Sequence, residues 1–296
     1  MARVQGGGHS DAITGNLGGA CFRGYRGNNI VSGSRRMTVA KPRQHKIASP
    51  LEIELLMARY SADQLVTFRP PVGLMGEDDV EVENEGDPNM DPLQLFEYVQ
   101  NWGDQVGGIG SLNQLITVRQ PKWFDADIDR NNRPYIYGDG VDDRMLSALL
   151  VPQKSQPFEI WMVADEPGRI TGRDTLYGIS DVQVYGSELF TAPSTDYQMR
   201  GGNIVTCGQL GNGKVKIWRW VWNNISSFME WNGAQQTANV NPGAGILKQL
   251  TIWATGNNVN WSNFKCFEID VFGGILPATD RIMLIDWLKS TYNLPA

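Results

Sequence analysis

Histidine is nearly absent from this 296-residue chain: only His9 and His45 occur, both within the first 46 residues. A histidine-dependent catalytic triad or a multi-histidine metal site in the rest of the chain is therefore excluded. Cysteine is almost as scarce. Cys21, Cys207 and Cys266 are widely spaced, odd in number and without a CxxC pair, so no disulfide framework is implied. No run of about 18 apolar residues occurs, so no segment is suited to cross a membrane as a helix. The opening MARVQGGGHS lacks the apolar core of a signal peptide, and synthesis in the cytoplasm is the expectation.

Glycine, at 33 residues, and tryptophan, at 10, are plentiful, and the apolar fraction of 41% is enough for a core. Glycine-punctuated, aromatic-rich short runs favour an all-β protein. Charge is uneven. Residues 1–46 hold eight Lys/Arg and one Asp, a balance of +7, whereas the remainder holds 18 basic and 31 acidic residues, a balance of −13. A basic arm is either a solvated tail or an anchor onto an acidic surface or nucleic acid. Its glycine and β-prone content favours the anchor.

Within that arm, Ala20-Cys21-Phe22 and Asn29-Ile30-Val31 flank the turn-prone Gly24–Asn28 and read as a small hairpin. Ser49, Pro50 and Glu52 resemble a helix start, and Leu51, Leu55, Ala58 and Ala62 recur at helical spacing, which predicts a helix over residues 50–64. Eight carboxylates crowd residues 77–91 and read as a solvated loop. The chain thus divides into an anchoring arm (1–47), a helix with an acidic linker (48–92) and a body (93–296).

Several patterns test for chemistry. Asp125, Asp127 and Asp129 alternate like the opening of a calcium loop. The sixth place is Arg130 rather than Gly and the twelfth is Ile136 rather than Glu, so an EF-hand is excluded. A solvated turn is favoured there, with an irregular calcium site as the alternative; no other cofactor is expected. Gly211-Asn212-Gly213-Lys214 precedes Val215 and lacks the P-loop spacer and hydroxyl, so it reads as a hairpin turn. From Lys214 to Trp222 the residues alternate: Lys216, Trp218, Trp220 and Trp222 share one face, and Val215, Ile217, Arg219 and Val221 the other. With apolar residues on both faces, the tryptophan stripe reads as core rather than an exposed platform for sugar rings.

Central to the body is the stretch Arg119-Gln120-Pro121 to Asp143, in which Tyr135–Tyr137 form a short strand stopped by Gly138-Asp139-Gly140 and Asp142-Asp143. This RQP…DGVDD pattern resembles the concanavalin A-like lectin/glucanase superfamily, in its laminin-G-like branch. In the same order follow Phe158–Val163, Met229-Glu230-Trp231-Asn232-Gly233, Leu250–Ala254, Asn263–Phe272 and a C-terminal Leu276–Leu294 segment. The ordered matches cover about residues 95–294. They imply an all-β fold: a concanavalin A-like jelly-roll β-sandwich with a C-terminal amphipathic helix, its inner face carrying Ile282, Ile285 and Leu288, and an extended N-terminal arm. Related glucanases carry Glu-Ile-Asp-x-x-Glu, and paired carboxylates serve retaining hydrolysis. Glu268-Ile269-Asp270 here lacks the third acid, aligns with a different strand and is expected on its outward face. No enzyme activity is expected.

The arm, with Gly15–Gly19, Arg35-Arg36 and Lys41-Pro42-Arg43-Gln44, resembles a short element of phage and prophage proteins. That resemblance implies a bacteriophage virion structural protein: a capsid decoration, fibre or tail component, made in the host cytoplasm. Its arm, through Arg23, Arg26, Arg35, Arg36, Lys41 and Arg43, would attach to other virion proteins or to copies of itself. The lectin-like body would bind cell-surface glycans. Membrane insertion and nucleic-acid binding are not expected. The alternative is a soluble carbohydrate-binding module or adhesin outside any virion. Fold does not decide between them.

Overall fold

The computed structural model describes residues 14–17, 20–25, 28–32, 53–68, 96–165, 175–178, 188–191, 196–209, 214–254 and 261–295. The arm sites Arg26, Arg35, Arg36, Lys41 and Arg43, the acidic 77–91 segment and the 211–213 turn lie outside these residues. The chain forms two compact units, residues 1–45 and 46–296. In the first, β1 (Thr14–Leu17), β2 (Ala20–Tyr25) and β3 (Asn28–Ser32) pair as an antiparallel sheet in that order. Arg23 lies on β2 opposite Ile30. The hairpin expected from glycine spacing is the β2–β3 pair, extended by β1.

The second unit begins with β4 (Leu56–Ser61), β5 (Val66–Phe68), β6 (Phe96–Trp102), β7 (Leu112–Asn113), β8 (Lys122–Asp127) and β9 (Arg133–Asp139). It continues through β10 (Met145–Leu146), β11 (Phe158–Ala164), β12 (Thr175–Gly178), β13 (Glu188–Thr191), β14 (Asp196–Arg200) and β15 (Ile204–Gln209). It ends with β16 (Lys216–Trp222), β17 (Phe228–Trp231), β18 (Ala234–Gln235), β19 (Thr251–Ile252), β20 (Asn263–Phe272) and the helix α1 (Ala278–Thr291). This is an all-β sandwich with a C-terminal helix.

In one sheet β20 is the centre. β11 flanks one side along most of its length, while β9 and β4 share the other side, one after the other. β16, β17 and β18 extend the sheet beyond β11. The second sheet runs β5, β6, β7, β10, β19, β12, β13, β14, β15. β6 belongs to both: Phe96–Tyr98 pair with β8 of the first sheet, whereas Asn101 and Trp102 pair with β5 and β7 of the second.

The first sheet is buried on both faces, and the β16 alternation states why. Trp218, Trp220 and Trp222 enter the core between the sheets, with no exposed surface, beside Trp102, Trp253 and Ile269. Val215 and Ile217 enter a second core, with Trp161, Phe267, Leu284 and Leu288, beneath α1. The tryptophan stripe is thus core, as its two apolar faces imply. Asn232-Gly233 makes the two-residue turn between β17 and β18, with φ of 50° and 88°, which suits the primed turns of hairpins.

Two expectations are corrected. The helix over residues 50–64 is a strand from Leu56 to Ser61 and a turn after it. Ala58, Tyr60 and Ala62 alternate into the core while Arg59 faces the other way, and pairing with β20 overrides the helical spacing. The inner face of α1 carries Leu284 and Leu288, whereas Ile282 is 52% exposed. Ile285 and Leu288 of the expected face do pack against this core, so only its Ile282 edge is overturned.

Candidate functional site

β9 ends at Asp139 because the chain reverses there. Gly140 takes a φ of 76°, a conformation that side chains disfavour. Asp139 Oδ1 accepts the amides of Val141 (2.8 Å) and Asp142 (3.4 Å), and Asp143 Oδ2 accepts the Asp139 amide at 3.0 Å. These bonds gather Asp139, Asp142 and Asp143 so that a carboxylate oxygen of each lies within 4.8 Å of the others. The RQP segment is stitched to this turn: the Arg144 amide donates to Arg119 O (3.3 Å), Gln114 Nε2 donates to Arg144 O (3.3 Å) and Gln120 Nε2 donates to Gln114 O (2.9 Å). The two motifs therefore form one structure. Behind it Trp253, at a φ of 67°, lays its indole against Gly138.

Burial and then the charge of Asp139 push the Asp143 carboxyl well above the usual range. Asp142 is raised by the same two causes in the same order, with Arg119 opposing. Three oxygen-only donors suit a proton or a hard cation. Their hydrogen bonds, however, already close the turn. Sequence reasoning marked Asp139, Asp142 and Asp143 as a strand stop and not as a convergent group.

Asp125, Asp127 and Asp129, read above as a solvated turn with an irregular calcium site as the alternative, do not form a convergent group. Asp125 and Asp129 are exposed, Asp127 Oδ1 accepts the Asp129 amide at 3.0 Å, and Asp127 Oδ2 lies 3.8 Å from Lys265 Nζ. Among the described residues the only convergent trio of possible ligands is Asp139, Asp142 and Asp143.

Glu268 and Asp270 are not on an open face, which corrects the outward placement. Both are 1% exposed, because α1 covers the face of β20 that carries them. Arg59 Nε and Nη2 donate to the two Glu268 oxygens at 3.0 and 3.3 Å, and the Tyr292 hydroxyl donates to Glu268 Oε2. Arg59 Nε is 3.8 Å from Asp270 Oδ1, which makes no hydrogen bond. Burial holds both carboxyls above their ordinary values, and Asp270 is pushed up further by the Glu268 charge. Along the same face Arg219 bridges Glu159 (2.6 Å) and Glu230 (2.9 Å), all three buried. Acid pairs are present, each sharing a single buried arginine. No local spacing announces these pairs, since their partners are remote in sequence.

No family model matches the sequence, and no curated protein matches it. Among solved structures, Trypanosoma rangeli sialidase in complex with sialic acid is similar at a TM-score of 0.47 and 9% identity, over 80% of this chain and 33% of that chain. The binding domain of botulinum neurotoxin DC in complex with SialylT is similar at 0.40 and 12% identity, over 60% of this chain and 48% of that chain. A botulinum neurotoxin type C structure, from work on cell entry dependent upon two ganglioside molecules, gives 0.43 and 12%, over 63% and 48%. The chain spans about a third of the sialidase and about half of the toxin chains. The functional reading therefore rests on this chain's own residues.

Proposed function

We propose that this chain is a non-catalytic attachment and display protein: a bacteriophage virion component, whether capsid decoration, fibre or tail part. Its basic arm fastens it to other virion proteins or to copies of itself, and its lectin-like sandwich meets glycans on the host surface. The observation that carries this reading is the division into a basic unit with its own three-stranded sheet and a separate acidic sandwich. So small a sheet is marginal in water without a further surface to bury against, and its charge selects an acidic one. The burial of Glu268 and Asp270 under α1 and of Glu159 and Glu230 around Arg219 supports the absence of catalysis. The virion assignment rests on the arm's resemblance to phage proteins, and the glycan assignment on the resemblance of the body to the lectin superfamily.

Light scattering of the full chain and of its Arg23→Ala/Arg35→Ala/Arg36→Ala/Arg43→Ala variant tests the attachment. A defined oligomer for the parent and a monomer for the variant are expected. Unchanged assembly in the variant removes the arm from the account. A glycan array probed with both proteins tests the display half: binding by both is expected, and a parent that binds glycans while itself monomeric would identify a soluble binding module instead.

A further inference from the structure

The face of the first sheet beneath α1 carries more acid than base. Buried there are Arg59 on β4, Glu268 and Asp270 on β20, Glu159 on β11, Arg219 on β16 and Glu230 on β17. Two guanidinium groups thus face four carboxyl groups. Arg281 of α1, 36% exposed, approaches Glu230 Oε2 at 3.9 Å from the rim and adds a third positive charge. The other charged groups nearby are paired at the margin, Asp63 with Arg133 at 2.6 Å and Asp127 with Lys265 at 3.8 Å, while Asp286 of α1 is exposed. One negative charge remains uncompensated.

Geometry locates it. Glu159 and Glu230 are bridged by Arg219, and Glu268 accepts two bonds from Arg59 and one from the Tyr292 hydroxyl just beyond α1. Asp270 has only the second-rank contact with Arg59 at 3.8 Å, and its buried Oδ1 makes no hydrogen bond. An ionised carboxylate so buried, without a dedicated cation, is strongly disfavoured, whereas the protonated form carries no charge to desolvate. Trp287 of α1 lies over the Arg59 guanidinium at 4.9 Å, so helix and cluster form one packed unit.

We propose that α1 is a proton-held cover: it sits firmly on the sheet while Asp270 carries a proton, and it loosens as rising pH removes it. Lifting the helix would hydrate Asp270 and return it to an ordinary carboxylate. Docking therefore binds one proton, and its equilibrium falls by up to about tenfold per pH unit between the ordinary carboxylate range and the raised value in the docked state. Asp270→Asn mimics the protonated form and removes the dependence.

Hydrogen exchange of the full chain, measured from pH 5 to pH 9 and corrected for the intrinsic amide rate, reads this directly. Protection of residues 278–291 relative to β11 and β16 is expected to fall at least about tenfold in the parent and less than about twofold in Asp270→Asn. A pH-independent ratio in the parent overturns the proposal, as does an equal fall in the variant. Should the variant not fold, the side-chain carboxyl 13C shift of Asp270 in the parent decides. A protonated shift at pH 7 upholds the proposal, and an ionised one overturns it.

Discussion

Arg219 and Glu159 face each other diagonally across the β11–β16 pair, with Nη2 2.6 Å and Nε 2.9 Å from the same Glu159 oxygen, on side chains 2% and 0% exposed. The second Glu159 oxygen accepts the Trp161 indole at 2.9 Å and the Leu276 amide at 3.3 Å. One carboxylate thus joins two strands to the segment that leads into α1.

Removing one member of such a pair strands the other. Arg219→Met is expected to lose about 3–5 kcal/mol of stability, read from urea midpoints at constant m-value. Arg219→Met/Glu159→Gln/Glu230→Gln is expected to recover part of that loss, because no uncompensated charge remains.

Asp104 organises a whole loop. Its Oδ1 accepts the amides of Arg59 (3.2 Å) and Val106 (2.9 Å), and its Oδ2 those of Ile109 and Gly110 (both 3.0 Å). Asp104→Ala is expected to cost at least about 2 kcal/mol and to speed amide exchange across residues 104–110. Asp104→Asn, which keeps one acceptor oxygen, should fall between the two proteins in both measurements.

Gly138 has no room for a side chain. A Cβ there would lie 2.5 Å from two atoms of the Trp253 indole. Gly138→Ala is expected to lose about 1–3 kcal/mol by overpacking. Gly138→Ala/Trp253→Phe should show a coupling above about 0.5 kcal/mol in a double-mutant cycle. Additive losses would mean that the ring and the glycine are independent.

The raised Asp143 carboxyl predicts a pH effect of definite sign. The folded state holds this proton more tightly than the unfolded chain, so the group's stabilisation is complete below the ordinary carboxylate range and is lost as pH rises toward the raised value. Asp143→Asn is expected to gain on the parent steadily between pH 5 and pH 8 in urea unfolding. A constant difference across that range would show that Asp143 does not titrate there.

What could be read from the sequence depended on distance along the chain. The β16 alternation and the Asn232-Gly233 turn are local, and both emerge in the structure as expected. Arg219 was visible only as a polar break in an apolar face, since its partners lie 60 and 11 residues away. Leu56–Ser61 defeated local reading because its two-residue period and a helical spacing share Ala58 and Ala62, and only β20 decides between them. The burial of Glu268 and Asp270 required knowing which face α1 covers, and of the expected α1 face Ile285 and Leu288 pack on the core while Ile282 does not.

The position of β4 has a mechanical consequence. It is the first described strand after the basic unit, and it lies antiparallel to β20 over Leu56–Ser61, with its far edge bonded to the Asp104–Gln105 loop. A tether that pulls on the N-terminal segment along the strand axis loads those cross-strand bonds together, in shear. Tension is thereby delivered to β20, the central strand of the first sheet. A module anchored by that end would hold its fold under drag until the β4–β20 pairing fails as a block.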